Sequence, residues 1–202
     1  NAESLLTTTE TVNQELDIDI SIQDLLVLAV SSTLEQHPAF NATFEEESHY
    51  IHETQDIAVA VDVDEGLVTP VLRGVENKLI DEIAIERRDL TDRVLDGDYT
   101  IEEIQGGTFT ISNLGPLGVE SFNPVINPPQ IAILGVNALT KQPVDDNGEI
   151  VLHDHLPLDL SFDHRIIDGA DAARFLDTLA GHLTNPLALL LGSVTGATER
   201  RQ

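Results

Sequence analysis

The stretch LPLDLSFDHRIIDGADAARFL, residues 156–176, places a histidine between an aspartate and an arginine, with an Asp-Gly pair beginning four residues further on. His164 follows the alternating pattern of a strand and precedes a helical pattern, a position in which side chains are displayed from rigid supports. An imidazole can remove a proton from a thiol or a hydroxyl near neutral pH if it is held in one tautomer. The spacing leaves two interpretations open. His164 is a general base, or it is a structural histidine beside an Asp168 that only caps the helix.

Two elements must hold this turn. In the preceding strand, Leu158, Leu160 and Phe162 share one face, while Asp159, Ser161 and Asp163 share the other. After the turn, the sequence predicts a final helix over 170–183, on the apolar positions Ala173, Phe175, Leu176, Leu179 and Leu183. Arg165 is a candidate structural brace that pairs with an acid.

The remaining elements are mixed in type. Helices are predicted over 2–16, from a Ser21 cap to a stop before Pro38, and over 79–96 with an end at Gly97. Strands are predicted over 57–63, 67–72, 107–112 and 130–136, with a hairpin turn at 147–150. Strands and helices without regular alternation indicate an α+β sandwich with a largely mixed sheet.

Charge is the extreme feature of the composition. The 202 residues include 36 acidic and 10 basic side chains, for a formal net charge of −26. Such a surface repels nucleic acid and anionic membranes. The acids are spread along the whole chain between apolar positions, which favours a salt-adapted, halophilic surface over an acidic tail.

Other function classes are excluded by composition. The chain has no cysteine, so disulfide frameworks, thiolate zinc sites and cysteine nucleophiles are ruled out, and no metal is expected. No run approaches the roughly 20 apolar residues of a membrane span, and no signal-peptide pattern opens the sequence. We expect a cytoplasmic protein.

The motif His-x-x-x-Asp-Gly is shared by coenzyme A-dependent acyltransferases, including chloramphenicol acetyltransferase, and by the condensation domains of peptide synthetases. The longer stretch LSFDHRIIDGADAARFL resembles the dihydrolipoamide acyltransferases of 2-oxo acid dehydrogenase complexes. Three further stretches agree with that family in the same order: EGLVTPV (65–71), GGTFTISNLGPLG (106–118) and NPVINPPQIAILGV (123–136). The match runs from about residue 5 to about 192. Condensation domains are much longer and normally carry a second histidine where this chain has Asp163.

The resemblance implies a chloramphenicol acetyltransferase-like two-layer sandwich with a mixed sheet, assembled as trimers that often build cubic or dodecahedral cores. It implies that His164 accepts the proton of a thiol and that Ser112 donates to the oxyanion of the tetrahedral intermediate. Asp168 then orients the turn, and Asn113 and Gly115 shape the loop beside Ser112. Coenzyme A and dihydrolipoamide are the implied substrates, and they reach the site from opposite ends of a channel between subunits.

On the same resemblance, residues 1–202 form an acyltransferase catalytic domain that lacks its usual N-terminal segment, with no lipoyl or subunit-binding domain. The E1 and E3 components of the complex would bind through those domains. The apolar run PLALLLG (186–192), after the predicted last helix, is expected to contact another trimer. Two alternatives stay open: a non-catalytic structural core of a multienzyme complex, and a stand-alone acyltransferase acting on a small alcohol or amine.

Overall fold

The computed structural model describes residues 1–16, 19–64 and 66–200. Within those ranges the chain forms five α-helices, four short 3-10 helices and eleven strands. The α-helices are α1 (Glu3–Leu16), α2 (Ile22–Gln36), α3 (Ile80–Leu95), α4 (Gly169–Thr184) and α5 (Pro186–Arg200). The strands are β1 (Ala42–Glu45), β2 (Ser48–Ile51), β3 (Ile57–Val59), β4 (Val61–Val63), β5 (Gly66–Val68), β6 (Val71–Leu72), β7 (Phe109–Asn113), β8 (Ala132–Val136), β9 (Thr140–Asp146), β10 (Glu149–His155) and β11 (Leu158–Phe162).

Five strands form the central sheet, in the order β11-β8-β7-β3-β6. Strand β7 runs parallel to both β3 and β8, whereas β11 and β6 pair antiparallel at the two edges. The other six strands form the hairpins β1–β2, β4–β5 and β9–β10. The predicted α+β class and mixed sheet are confirmed.

One face of the sheet carries the apolar core and is covered by the helices. Helix α2 is buried along residues 25–30, so it lies inside the helical layer rather than on its surface. The ring of Phe175 in α4 lies 4.5 Å from Phe40 and 5.7 Å from Phe109, between ring centroids. The apolar face of β11 packs against the same cluster, as its alternation predicts. Strand β11 and helix α4 are therefore fixed to one core on either side of the 163–168 turn.

The opposite face is covered in part, over Gly135 of β8. The long connection between β7 and β8 crosses it, and Phe122 and Pro124 lie directly on Gly135. A Cβ at Gly135 would lie 3.0 Å from Phe122 Cζ and 3.1 Å from Pro124 Cγ. Nearby, Thr110 Oγ1 donates to Gln130 Oε1 at 2.6 Å. Gly135 of β8 therefore marks the point where the connection approaches the sheet closely.

The four predicted helices are confirmed in position. Ser21 is the N-cap of α2, where its backbone N–H donates to Asp24 Oδ2 at 2.8 Å, and α2 ends at Gln36 before Pro38. The carboxylate of Asp24 is fully buried and pairs with Arg87 of α3, which joins the two helices. In the part of the chain that the structure describes, no helix combines the length and the apolar character needed to cross a bilayer.

Four predictions of detail are wrong. The expected strand over 67–72 is divided into β5, which pairs with β4, and β6, which pairs with β3 at the edge of the central sheet, since Pro70 between them has no N–H to donate. The expected strand over 57–63 is divided at Ala60, because the Ala60 N–H donates across the sheet to Ile111 O while β4 turns away to pair with β5 in a hairpin. Helix α4 is followed by α5, which contains the apolar run 186–192. The buried position near the start of α4 is Ala172 rather than Ala173, since two adjacent alanines fit the helical period almost equally well.

Candidate active site

The His164 turn is built by backbone hydrogen bonds and one apolar anchor. Asp163 N–H donates to Ile131 O at 2.8 Å, and Asp163 O accepts from the N–H groups of Ile166 and Ile167 at 3.0 Å each. Ile167 is only 2% exposed, so the turn is pinned to the core. His164 lies at its outer side with an exposed ring, 5.5 Å from the Phe162 ring between centroids. The turn thus displays an accessible imidazole from a rigid backbone.

Arg165 braces the turn, as predicted. Its Nε donates to Asp163 Oδ1 at 2.9 Å and its Nη2 to Asp163 Oδ2 at 2.5 Å. The guanidinium also lies 4.3 Å from the centroid of the Phe44 ring. The hydrogen bonds from Arg165 hold the pKa of Asp163 below its usual range. The residue directly before His164 is therefore an ionised carboxylate paired with Arg165.

Asp168 caps helix α4. Its Oδ1 accepts from Ala170 N–H at 2.8 Å and from Asp171 N–H at 3.0 Å. These two backbone bonds lower the pKa of Asp168, with smaller contributions from the charges of Arg174 and His164. A carboxylate stabilised in its ionised form is poorly suited to exchange protons near neutral pH. The geometry therefore makes Asp168 a positioning residue, which fixes where the turn ends and the helix begins.

Ser112 lies on β7 in a different environment. It is 7% exposed and projects to the face opposite the core residues Phe109 and Ile111. Its Cα partner on β8 is Gly135. Within the described residues, no hydrogen bond occupies its hydroxyl, which leaves that group free to donate to a ligand.

The two predicted catalytic side chains are not brought together within one chain. Ser112 is level with Gly135 of β8, whereas Phe162 is level with Ala132, and His164 lies beyond Phe162. At about 3.3 Å per residue and about 4.8 Å per strand, their separation is at least roughly 10 Å along the strands and 10 Å across them. No reacting atom can touch both groups in a single copy of this chain.

The loop after β7 has the hydrogen bonds expected of shaping residues. Asn113 Oδ1 accepts from Gly115 N–H at 2.9 Å, and Asn113 Nδ2 donates to Gln23 Oε1 of α2 at 2.8 Å. A Cβ at Gly115 would lie 2.6 Å from the backbone oxygen of Asn137, so only glycine fits there. Whether these residues contact a cofactor stays a prediction.

A cavity of about 640 Å³ lies beside this loop, between the start of α2 and the end of β8. Its lining includes Gln23, Asn113, Gly115 and Asn137. Gln23 Nε2 and Asn137 Oδ1 are both buried without a hydrogen-bond partner among the described residues. In the same residues, no group of three or more His, Asp and Glu side chains is placed to hold a metal ion.

Sequence reasoning missed the surroundings of Ser112. Gly135 interrupts a strand of branched residues, and glycine inside a strand signals close approach, but the sequence does not say of what. The answer, the ring of Phe122, comes from a connection without regular periodicity. Asp159 was assigned only to the polar face of β11, yet its Cα partner is Gly135, so it shares the face of Ser112.

Comparison with known proteins gives one consistent family. Residues 1–191 match the model of the 2-oxoacid dehydrogenases acyltransferase catalytic domain. The acetyltransferase component of the pyruvate dehydrogenase complex of Rickettsia felis is 38% identical over 95% of this chain and 47% of its own length. The succinyltransferase component of the 2-oxoglutarate dehydrogenase complex of Haemophilus influenzae is 37% identical over 90% of this chain and 44% of its own length. The chain thus spans about half the length of these relatives.

Solved structures agree with that result. One is Azotobacter vinelandii dihydrolipoamide acetyltransferase, studied for the role of a serine, a histidine and an asparagine in its catalytic mechanism. It has a TM-score of 0.85 and 33% identity over 93% of this chain and 78% of that one. The cubic core of a pyruvate dehydrogenase multienzyme complex has the same TM-score with 34% identity over the same shares. A chloramphenicol acetyltransferase, at TM-score 0.55 and 16% identity over 87% and 82% of the two chains, shares the fold alone.

Proposed function

Because the chain belongs to the family of 2-oxoacid dehydrogenase acyltransferase catalytic domains, we propose that it transfers an acyl group between a dihydrolipoyl thiol and coenzyme A. The observation that carries the proposal is the exposed His164 on a turn held by β11, α4 and the Ile167 anchor. The Azotobacter vinelandii enzyme supports the choice of residues, because its serine, histidine and asparagine have the same spacing along the chain as Ser112, His164 and Asp168. Aspartate replaces asparagine at the last position.

His164 is the general base in this proposal. Its imidazole takes the proton from the attacking thiol, and the thiolate forms a bond to the carbonyl carbon of the acyl thioester. The tetrahedral intermediate then breaks the bond to the leaving sulfur. The imidazolium returns the proton to that second thiolate, so the enzyme ends as it began. The reverse transfer uses the same groups in the opposite order.

Ser112 stabilises the tetrahedral oxyanion. Its hydroxyl has no hydrogen-bond partner among the described residues and lies on a buried strand. A hydrogen bond to developing negative charge is strong there because water is excluded. The apolar cover of Phe122 and Pro124 over neighbouring Gly135 adds to that exclusion. Coenzyme A and dihydrolipoamide are substrates, and no step calls for a metal.

The site is shared between subunits. His164 and Ser112 lie toward opposite ends of the sheet, so a complete site takes His164 from one copy and Ser112 from the next. A closed ring of three chains, the predicted homotrimer, makes three such junctions. The structural similarity to a cubic core supports further assembly of trimers. Association with the E1 and E3 components is proposed on family grounds.

The test is a transfer assay on the assembled, full-length protein. Acetyl-CoA and dihydrolipoamide should give acetyl-dihydrolipoamide and free coenzyme A. Absence of transfer from every acyl-CoA, in a protein that still assembles and binds the other components, would instead favour the non-catalytic core. Faster transfer to a small alcohol or amine than to dihydrolipoamide would favour the stand-alone acyltransferase.

We also infer that the surface is adapted to high salt, and the cytoplasmic location stays a prediction. Every Lys and Arg side chain that the structure describes pairs with a carboxylate, yet a large excess of acids is left. The screening length grows from roughly 3 Å at 1 M salt to about 10 Å at 0.1 M, so repulsion between subunits strengthens on dilution. Sedimentation at decreasing salt should show dissociation with loss of activity. A core that stays assembled and active at about 0.1 M salt contradicts the inference.

A further inference from the structure

The relatives do not decide which acyl group is transferred, because an acetyltransferase and a succinyltransferase are almost equally similar to this chain. The residues around Ser112 bear on that choice. An acetyl group is small and neutral, whereas a succinyl group ends in a carboxylate. The side chains that share the face of Ser112 can therefore discriminate by charge.

Three residues form a row across the sheet. Ser112 of β7 is paired with Gly135 of β8, and Gly135 is paired with Asp159 of β11. Directly paired residues project to the same face, and two strand spacings place the Cα atoms of Ser112 and Asp159 about 10 Å apart. A carboxylate thus lies on the same face of the sheet as Ser112, two strand spacings away from it.

The middle of the row is apolar. Gly135 has no side chain, and the ring of Phe122 with Pro124 fills that space. An acyl chain bound at Ser112 therefore contacts an aromatic edge and a proline ring. These groups pack against hydrocarbon and cannot donate a hydrogen bond to a second carboxylate.

Among the described residues, the polar end of the row carries only neutral amides beside the Asp159 carboxylate. Asn137 is 1% exposed, and its Nδ2 donates to Asp159 Oδ2 at 2.7 Å and to Pro157 O at 3.3 Å. Because both donor contacts fix the orientation of the amide, its unpartnered Oδ1 is an acceptor. Gln23 Nε2, a buried donor that lines the same cavity, is a neutral amide.

No cation offsets this arrangement in the described part of the chain. Each described Lys and Arg side chain is held by a carboxylate elsewhere, including Arg165 by Asp163 and Arg87 by Asp24. A succinyl carboxylate bound at Ser112 would face the Asp159 carboxylate across the layer of Phe122 and Pro124 without a counter-charge, and an apolar layer screens such repulsion poorly.

We infer that the acyl group carried by this enzyme is uncharged, an acetyl or a short branched acyl group, and that Asp159 excludes dicarboxylic acyl groups such as succinyl. The inference rests on the proposed transfer at Ser112 and names its substrate class. It assigns to Asp159 and Asn137 a role in specificity.

The test compares acetyl-CoA, isobutyryl-CoA and succinyl-CoA as donors to dihydrolipoamide, using the assembled full-length protein at one ionic strength. We expect kcat/KM for succinyl-CoA to be lower than that for the better neutral donor by about tenfold or more. A succinyl preference would overturn the inference while leaving the proposed function intact. Failure of all three donors would overturn the proposed function itself.

Asp159→Asn identifies the residue responsible. The ratio of succinyl to acetyl kcat/KM should rise by about tenfold, because the like charge is removed while an amide keeps a similar shape. Asp62→Asn, on the exposed side of hairpin β4–β5, is the matched control and should leave the ratio unchanged. If Asp159→Asn does not fold, the donor series with the wild-type protein still decides the substrate class. An unchanged ratio in a folded Asp159→Asn protein contradicts the role of Asp159.

Discussion

The His164 turn and the Ser112 strand end contribute to one proposed reaction but are built in different ways. The turn is exposed and is defined within a few residues, by the Asp163–Arg165 pair and the Asp168 cap. The strand end is buried and depends on distant segments, with Phe122 and Pro124 lying on Gly135 and Asn113 bonded to Gln23. In the proposed reaction, the base that meets the thiol is accessible, and the donor that stabilises the oxyanion is sheltered from water.

This difference predicts how each region responds to substitution. Substitution of the exposed His164 should act on chemistry and leave the fold intact, whereas the Asp168 cap contributes to stability. Changes around Ser112 should separate into those that remove the free hydroxyl and those that disturb packed or hydrogen-bonded neighbours.

The largest expected effect is that of His164→Ala. Removing a general base should lower turnover by about 100-fold or more, while thermal stability is unchanged because the ring is exposed. The measurement is acyl transfer from acetyl-CoA to dihydrolipoamide, with His49→Ala on the exposed strand β2 as the matched control. Near-native turnover in His164→Ala would remove His164 from the mechanism.

Ser112→Ala should have the next largest effect on rate. Loss of one oxyanion donor costs about 3 kcal/mol, or roughly 100-fold in kcat, with little change in stability because the hydroxyl has no partner in the described chain. Thr110→Val, two residues earlier on the same face, is the contrasting variant. It leaves the buried Gln130 Oε1 without its donor and should lower the free energy of unfolding by about 1–3 kcal/mol, with a smaller loss of turnover. Equal effects of the two variants on rate and stability would contradict a special role for Ser112.

The smallest effect is the pH dependence of the Asp168 cap. The folded state lowers the pKa of Asp168, so its stabilisation is fully present above the unfolded value of about 4 and is lost as the pH falls through the folded value. The difference in melting temperature between wild type and Asp168→Ala should therefore be greatest at neutral pH and shrink in acid. Asp177→Ala, on the exposed side of the same helix, is the control variant. A difference that grows toward acid pH would contradict the assigned shift.

The same contrast explains what could be predicted from the sequence. The turn was predictable in position because a period-two strand, a capping aspartate and a helical stripe are local patterns, and each has a direct structural reading. Ser112 had no such pattern and was selected only by resemblance to a family. The partners of Gly135 and Asp159 were not predictable, because they depend on strand order and on a connection that lacks periodicity. The end of β3 at Val59 shows the same limit, since pairing with strands that are distant in sequence decides it.

The central claim, that one site takes His164 and Ser112 from different subunits, is tested most directly by mixing two inactive variants. Neither His164→Ala nor Ser112→Ala alone can form a complete site. A mixed trimer of the two, verified by mass, contains one junction where both native side chains meet and another that lacks both. Coassembly should therefore restore a fraction of wild-type turnover above either parent. Mixed trimers with only the average activity of the two parents would show that both residues act within one chain, which contradicts the separation seen in the sheet.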